Sequence, residues 1–301
     1  MVKTKNSSPT QPTSPSDQLD LRPGQSIELL KALHILTREG KLNQDSRRKL
    51  KQVKHLFQFI EKPLMEMLTQ RLAQGNTAPI TLADHGAGKS YLGFMIHDLF
   101  FKPQQLVHGR SVGQVIGIET RLDLVAASQQ LAQQLGFAEG MQFVNASVSQ
   151  AATDESLPEQ IDMVTALHAC DTATDHAIHY GIRGGAAIIC CAPCCHKQLR
   201  PQLLQPHPLR PILQHGVHLG QEAEMLTDGL RALLLDACGD DTQVFEFVSL
   251  EHTSKNKMLL AVKRPQPLTA ARRSELLQQI AGIKQFYGIR QQELETLLAS
   301  A

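Results

Sequence analysis

The feature that most constrains the fold is a change of rhythm near residue 78, where short apolar runs begin to alternate with amphipathic segments. This alternation is typical of a parallel β-sheet that is covered by helices on both faces. Strands are predicted at 78–84, 112–119, 141–145, 161–168, 185–191, 243–250 and 257–263. The last two strands are too close for a parallel crossover, so they are expected to form a hairpin.

The segments before and after the α/β alternation are polar or have apolar residues at helical spacing. Residues 1–20 are rich in Ser, Thr, Pro, Gln and Asn and are expected to form a disordered tail. Helices are predicted at 26–39 and 45–60, and Pro63 is expected to begin a third helix that ends near Gly75. The predicted organisation is a tail at 1–20, a helical region at 21–76, an α/β domain at 77–265 and a helical extension at 266–301.

Within the α/β domain, helices should connect the first five strands and keep them parallel. These helices are predicted near 89–101, 121–135 and 172–181, with a loop at 102–111. A further helix is predicted near 220–237, between the fifth strand and the final hairpin. The result is a doubly wound, seven-stranded, mostly parallel sheet. This order resembles the class I methyltransferases, a Rossmann-like α/β class whose last strand is inserted antiparallel. The resemblance implies S-adenosyl-L-methionine as the cofactor.

Composition narrows the possible partners and location. Apolar residues make up 42% of the chain, which is enough for a sizeable core, and the net charge is +1. Trp is absent and aromatic residues are 4%, which is little for a protein that binds single strands by stacking. The chain has no apolar run of membrane-spanning length, and five of its six cysteines cluster at 170–195. We expect a cytoplasmic protein with reduced thiols and no membrane partner.

The strongest local signal is the glycine turn at 84–89, which follows a predicted strand and opens a predicted helix. Gly86 and Gly88 allow a sharp turn and a close approach of the backbone to a ligand, with Ala87 between them. In a methyltransferase the helix N-terminus would face the methionyl carboxylate, and Asp84 would accept the methionyl ammonium. The alternative is a generic glycine turn.

Two further strand ends support a nucleoside cofactor. Glu119 ends the second strand, where an acid can accept both ribose hydroxyls, and Asn145-Ala146 follows the third, beside the expected adenine. The alternatives are a solvated acid and a turn-forming Asn. NAD is the second candidate cofactor, but Tyr91 occupies the position of the third glycine in GxGxxG.

Four motifs carry a closer resemblance: ADHGAGKSYL at 83–92, ALHACDTATDHAI at 166–178, CCAPCCHKQL at 190–199 and EHTSKNKMLLAVKR at 251–264. They resemble a methyltransferase-domain family that is similar to the eukaryotic tRNA methyltransferases acting on a ribose 2′-hydroxyl. Those enzymes carry HxCGxATD and CCHH segments. Asp171 stands in place of the family's Gly, and Lys197 in place of its second His. The resemblance implies RNA as a partner.

Methyl transfer to a hydroxyl or amine needs an aligned nucleophile and a group that removes a proton. His168 and Asp171 follow the fourth strand, and His196 follows the fifth. We expect these three residues to line the acceptor pocket, with one acting as the base. The alternatives are a hydrogen bond of His168 within its loop, and Asp171 as the cap of the helix that begins at Thr172.

Three other features have weaker functional interpretations. Cys191 and Cys194 form a CxxC without a second pair, so we favour core or pocket wall over a metal site. The basic helix at 45–60 could contact phosphates or be a solvated face. His252, Lys255 and Asn256 lie in the last hairpin turn, beside the expected substrate mouth. The leading hypothesis is an RNA methyltransferase; the alternatives are a protein or small-molecule methyltransferase and a non-catalytic binding protein.

Overall fold

The structure is a computed structural model that describes residues 21–147, 157–167, 169–246 and 257–300. Three features singled out in the sequence lie outside the described residues. They are the tail at 1–20, the predicted base candidate His168, and the last hairpin turn with His252, Lys255 and Asn256.

The chain divides into two compact units, Met1–Leu50 and Lys51–Ala301. In the first, helix α1 spans Ile27–Ala32 and begins at Ser26, whose hydroxyl accepts a hydrogen bond from the N–H of Leu29 at 3.1 Å. The prediction that this helix continues to residue 39 is wrong. His34 adopts a φ of 55°, which is incompatible with a right-handed helix, and the chain turns there.

Helix α2 spans Gln44–Ala73 and runs through Pro63 without a break. The prediction that Pro63 begins a third helix is therefore wrong. Apolar side chains at helical spacing on both sides of the proline are buried, namely Phe57, Ile60, Leu64 and Leu68. One continuous buried face favours one continuous helix, and it offsets the backbone hydrogen bond that a proline removes.

The second unit contains the sheet. Its strands are β1 (Ile80–His85), β2 (Gly113–Glu119), β3 (Met141–Asn145), β4 (Met163–Ala166), β5 (Ile188–Cys191), β6 (Asp240–Glu246) and β7 (Lys257–Lys263). Their order is β3-β2-β1-β4-β5-β7-β6, with β7 antiparallel to both β5 and β6. The other pairs are parallel. This arrangement confirms the predicted seven-stranded, mostly parallel, Rossmann-like sheet.

Helices flank the sheet in the order α3 (Tyr91–Ile96), a π-helical turn (His97–Phe101), α4 (Lys102–His108), α5 (Leu122–Gln134), α6 (Thr172–Arg183), α7 (Arg210–Leu213), α8 (Gly216–Ala237), α9 (Ala270–Tyr287) and α10 (Glu293–Ala299). The loop predicted at 102–111 is wrong, because α4 continues the helix to His108. Pro103 lies where the π-helical turn passes into α4. Gly109, with a φ of 65°, ends the segment.

Strand β6 begins at Asp240, earlier than the predicted Gln243. The reason is a cross-strand pair: Asp240 is buried, and its carboxylate lies 3.6 Å from the ammonium of Lys263 on β7. Three residues before the predicted start therefore belong to the strand.

One core cluster joins the sheet to α6, α8, α9 and α10. Its buried members include Val164 and Ile189 from the sheet and Ile178, Leu230, Ile280 and Leu294 from the helices. Each such side chain contributes about 1.5–3 kcal/mol when it is fully buried. The C-terminal helices are thus packed parts of the domain core. None of the described helices combines the length and apolar character that a membrane crossing requires.

Candidate functional site

The glycine turn after β1 adopts the backbone conformation that its sequence predicts. Gly86 and Gly88 have φ values of 60° and 57°, in the left-handed region that glycine enters at little cost. A Cβ at Gly86 would contact the backbone of Ala169 at 3.5 Å, so the turn lies directly against the loop after β4. Two loops that are far apart in sequence meet here.

A cavity of about 700 Å³ opens at the carboxyl ends of β1, β2, β3 and β4. Open α/β sheets bind ligands at this edge, where the strand order reverses, and β1 lies at that reversal here. The cavity is lined by Gly86, Gly88, Lys89, Tyr91, Ile118, Glu119, Thr120, Arg121, Leu124, Ala146, Ser147, Ala169, Cys170, Thr172, Ala173 and His176. Its volume lies within the range of about 300–1,000 Å³ that small-molecule and cofactor sites occupy.

Glu119 lines this cavity and also holds the glycine turn. Its Oε2 accepts the N–H of Gly88 at 2.8 Å, and its Oε1 accepts the N–H of Arg121 at 3.1 Å. Burial raises the pKa of Glu119, but the N–H groups of Arg121 and Gly88 outweigh it, so the pKa lies below its ordinary value. The side chain is an ionised acceptor at the cavity wall, and a carboxylate has lone pairs for further hydrogen bonds.

Asp84 lies beneath the turn and is not among the cavity-lining residues. Its carboxyl oxygens accept hydrogen bonds from the hydroxyls of Ser90 and Thr165, each at 2.7 Å. Asp84 is 3% exposed, and burial raises the pKa of its carboxyl group to about 6. The neighbouring His85 is also fully buried, where burial lowers its pKa to about 3 and its ring packs edge-on against Tyr180.

We predict that the free energy of unfolding of Asp84→Asn depends less steeply on pH than that of the wild type. The folded-state pKa of about 6 lies above the ordinary 3.8, so the folded protein holds this proton more tightly than the unfolded chain. Asp84 therefore stabilises the fold below pH 3.8, and this contribution falls as pH rises toward 6. Linkage gives a loss of about 3 kcal/mol. Urea unfolding of both proteins from pH 4 to 8 measures the difference, and equal slopes would contradict the prediction.

The predicted adenine-side residues have different positions. Ala146 lines the cavity, and its N–H donates to the carbonyl of Glu119 at 3.2 Å. The Asn145 amide donates to the carbonyls of Glu119 and Thr120 at 3.0 and 2.7 Å and does not line the cavity. Ala87 is buried, and its N–H donates to the carbonyl of Ile118 at 3.1 Å. Asn145 and Ala87 therefore support the wall of the cavity but do not line it.

Asp171 stands at the N-cap position of α6, but the alternative prediction that its side chain caps this helix is wrong. Its φ of 55° and ψ of −124° are values that favour glycine, and no side-chain cap bond forms. The carboxylate instead accepts the N–H groups of Lys197 and Gln198 at 2.7 and 3.1 Å, in the loop after β5. These bonds offset the backbone strain and tie the two loops together.

His196 is mostly buried and is not among the residues that line the cavity. Its Nδ1 lies 3.9 Å from a carboxylate oxygen of Asp228, and burial lowers its pKa to about 4, so the ring is neutral at physiological pH. Neither Asp171 nor His196 lines the cavity, and His168 is outside the described residues. The assignment of these three residues to catalysis stays a prediction.

Sequence reasoning missed two groups near the cavity. Cys170, Thr172 and His176 line the cavity on the side of the loop after β4. All three belong to the ALHACDTATDHAI motif, so their closeness in sequence to His168 was the available signal. Arg231 on α8 was missed because it belongs to no local motif. It is 1% exposed, pairs with Asp175 at 2.9 and 2.6 Å, and donates to the carbonyl of Asp171 at 2.8 Å.

The strand order, the antiparallel β7 and the cavity at the glycine turn define a class I methyltransferase fold. The family described as "Methyltransferase domain" matches residues 48–202, a little over half of the chain. The chain belongs to this family of methyltransferase domains. The family and fold agree with S-adenosyl-L-methionine as the predicted cofactor. Among curated proteins, none matches the chain.

Solved structures with a similar fold are distant in sequence. The [4+2]-cyclase SpnF is 17% identical, with a TM-score of 0.28 over 42% of this chain and 43% of that one, so the match spans less than half of the cyclase. Fibrillarin from Methanococcus jannaschii is 12% identical, with a TM-score of 0.40 over 62% and 68%. Fibrillarin from Aeropyrum pernix, solved with S-adenosyl-L-methionine, is 12% identical, with a TM-score of 0.38 over 61% and 66%.

Proposed function

We propose that this protein is an S-adenosylmethionine-dependent methyltransferase that acts on RNA. The observation that carries the first part is the convergence of the glycine turn, Glu119 and Ala146 on one cavity at the switch point of the sheet. These residues come from three strand ends, in the order that the sequence predicts for the methionyl, ribose and adenine parts of the cofactor. When bound, the cofactor supplies an activated methyl group on a sulfonium.

Each of these residues has a definite task in the proposal. Gly86 and Gly88 bring bare backbone to the methionyl group, which a Cβ and longer side chain would obstruct. The ionised Glu119 accepts the ribose hydroxyls while it holds Gly88 in place. Ala146 and Leu124 give an apolar wall for the adenine. Tyr91 lines the cavity where a third glycine would approach a pyrophosphate, which favours S-adenosylmethionine over NAD.

RNA as the acceptor rests on the motif resemblance and on charge at the cavity. Lys89 and Arg121 both line it, Lys89 is exposed, and the Arg121 side chain is 65% exposed. Cationic side chains at a mouth can hold phosphates without a strongly basic surface elsewhere. The acceptor group would enter beside Cys170 and His176, since these line the wall formed by the loop after β4 and by α6. His168, Asp171 and His196 are proposed to position it or remove its proton.

Transfer of a labelled methyl group tests the proposal. The purified chain should transfer tritium from S-[methyl-³H]-adenosylmethionine to a pool of unmodified transcripts that includes tRNA. A ribose 2′-O product would appear as alkali-resistant dinucleotides, and a base product as a labelled nucleoside. Binding of the RNA should weaken steeply with salt.

Two controls interpret the transfer experiment. Gly86→Arg should transfer no label to RNA, because it fills the cofactor cavity. Label that enters protein or a small molecule instead of RNA would contradict the proposed acceptor but keep the methyltransferase. Cofactor binding without transfer to any of the three would favour a non-catalytic binding protein.

A further inference from the structure

Three cysteines from two loops meet at the wall of the cavity. The Cys170 Sγ lies 3.2 Å from the Cys194 Sγ, which in turn lies 3.6 Å from the Cys195 Sγ. All three sulfur atoms lie within 4.8 Å of one another. Cys170 belongs to the loop after β4, is exposed and lines the cavity, whereas Cys194 and Cys195 belong to the loop after β5 and are half-buried.

We propose that Cys170, Cys194 and Cys195 form a binding site for a thiophilic divalent cation, with Zn²⁺ as the expected ion. Zinc binds thiolate sulfur at about 2.3 Å in a tetrahedron, which places ligand sulfurs about 3.8 Å apart. The observed separations of 3.2 and 3.6 Å are close to this value and require only small shifts. Three protein ligands leave a fourth position, and the exposed Cys170 puts it within reach of water or a group in the cavity.

The surrounding structure holds the two cysteine loops together. The Asp171 carboxylate accepts the N–H groups of Lys197 and Gln198, so the residue after Cys170 is already bridged to residues two and three positions after Cys195. Arg231 fixes the carbonyl of Asp171 from the core side. A site with ligands on two loops binds a metal better when other contacts set the distance between those loops. The ion would complete this connection at the acceptor side of the cavity.

The sequence pattern pointed to a different pair. The CxxC formed by Cys191 and Cys194 is divided in the structure: Cys191 is fully buried in β5, and Cys194 faces Cys170. Cys170, which belongs to the loop after β4, lies 24 residues before Cys194. The sequence therefore shows no spacing typical of a zinc finger.

A second group near this site is less suited to a metal. His196, Glu224 and Asp228 also lie within 4.8 Å of one another. However, Glu224 pairs with Lys257 at 2.8 Å, and Asp228 pairs with Arg231 at 3.4 Å. Side-chain cations already balance both carboxylates, and an added divalent ion would face two positive neighbours. The three thiols have no such partner among the described contacts.

Cobalt substitution tests the proposal on the full chain. Protein that has been reduced and freed of metal with a chelator is titrated with Co²⁺. We expect one ion per chain, with the near-ultraviolet thiolate charge-transfer band and the intense visible bands of a tetrahedral site. Zn²⁺ should displace the cobalt and raise the melting temperature. Binding releases thiol protons, so affinity should fall as pH is lowered.

Single serine variants identify the ligands. Cys170→Ser, Cys194→Ser and Cys195→Ser should each weaken metal affinity by a factor on the order of 100. Cys238→Ser is the matched control, because this partly buried cysteine lies outside the cluster, and it should retain the bands and the zinc-dependent melting shift. A cluster variant that melts at a lower temperature than Cys238→Ser when zinc is present, but at the same temperature without metal, has lost stability through loss of the ion.

Two results would overturn the site. One is fully reduced wild-type protein that shows no thiolate–cobalt band at micromolar metal. The other is a band that all three cluster variants retain. Mass spectrometry of freshly isolated protein adds a further check: a Cys170–Cys194 disulfide in a chain whose reduced form binds no metal would assign the cluster to redox chemistry instead. These readouts do not depend on methyl transfer.

Discussion

Replacing Gly86 by Arg is expected to abolish binding of S-adenosylmethionine, with an increase in Kd of ~100-fold or more because the side chain occupies the cofactor cavity. Gly86 has a φ of 60° and lines the cavity, and a Cβ at this position would already touch the backbone of Ala169. The rest of an arginine side chain at this position is expected to extend into the cavity that Gly86 lines. Calorimetric titration of the variant with S-adenosylmethionine measures the effect.

Gly136→Arg is the matched control for this variant. Gly136 has a φ of 70°, so the backbone strain is similar, but nothing lies within 4 Å of the added Cβ and the residue does not line the cavity. It should bind the cofactor like the wild type. Equal loss of binding in both variants would trace the effect to general destabilisation, and normal binding by Gly86→Arg would place the cofactor elsewhere.

Arg231→Met is expected to lower the free energy of unfolding by about 3–5 kcal/mol, the usual cost of leaving buried charges uncompensated. Arg231 is 1% exposed and donates twice to Asp175, which is itself 1% exposed. It also lies 3.4 Å from Asp228. Without the guanidinium, the Gln292 amide at 2.8 Å is the one hydrogen-bond donor to the Asp175 carboxylate that remains among the described side chains. Urea unfolding measures the change.

A surface pair provides the comparison for Arg231. Arg272 lies 2.7 Å from Glu275 on α9, and both side chains are more than half exposed. Arg272→Met should change stability by less than about 1 kcal/mol, because exposed ion pairs contribute little. Similar losses in the two variants would contradict the prediction that the buried Arg231 network contributes more to stability than an exposed ion pair.

The part of the fold that depends on repeating patterns could be predicted from the sequence. Alternation of apolar strands with amphipathic helices gave the seven strands, and the short connection before β7 gave its antiparallel direction. The glycine turn and Glu119 were also predictable, since their positions follow from strand ends. Both line the cavity in the structure.

The remaining features depend on contacts between distant segments. Pro63 lies inside a helix because the buried face on either side continues through it. Asp171 favours bonds to the loop after β5 over a helix cap, and no local pattern contains both partners. Cys170 and Arg231 acquire their roles from residues 24 and 56 positions away, Cys194 and Asp175. A single sequence does not show such pairings.

Calorimetric titration of the wild-type chain with S-adenosylmethionine, and in parallel with NAD, tests the central claim most directly. We predict micromolar binding of S-adenosylmethionine with one site per chain, and no heat of binding with NAD. Binding of NAD in place of S-adenosylmethionine, or no binding of S-adenosylmethionine at millimolar concentration by well-folded protein, would contradict the assignment of the cavity and of the enzyme.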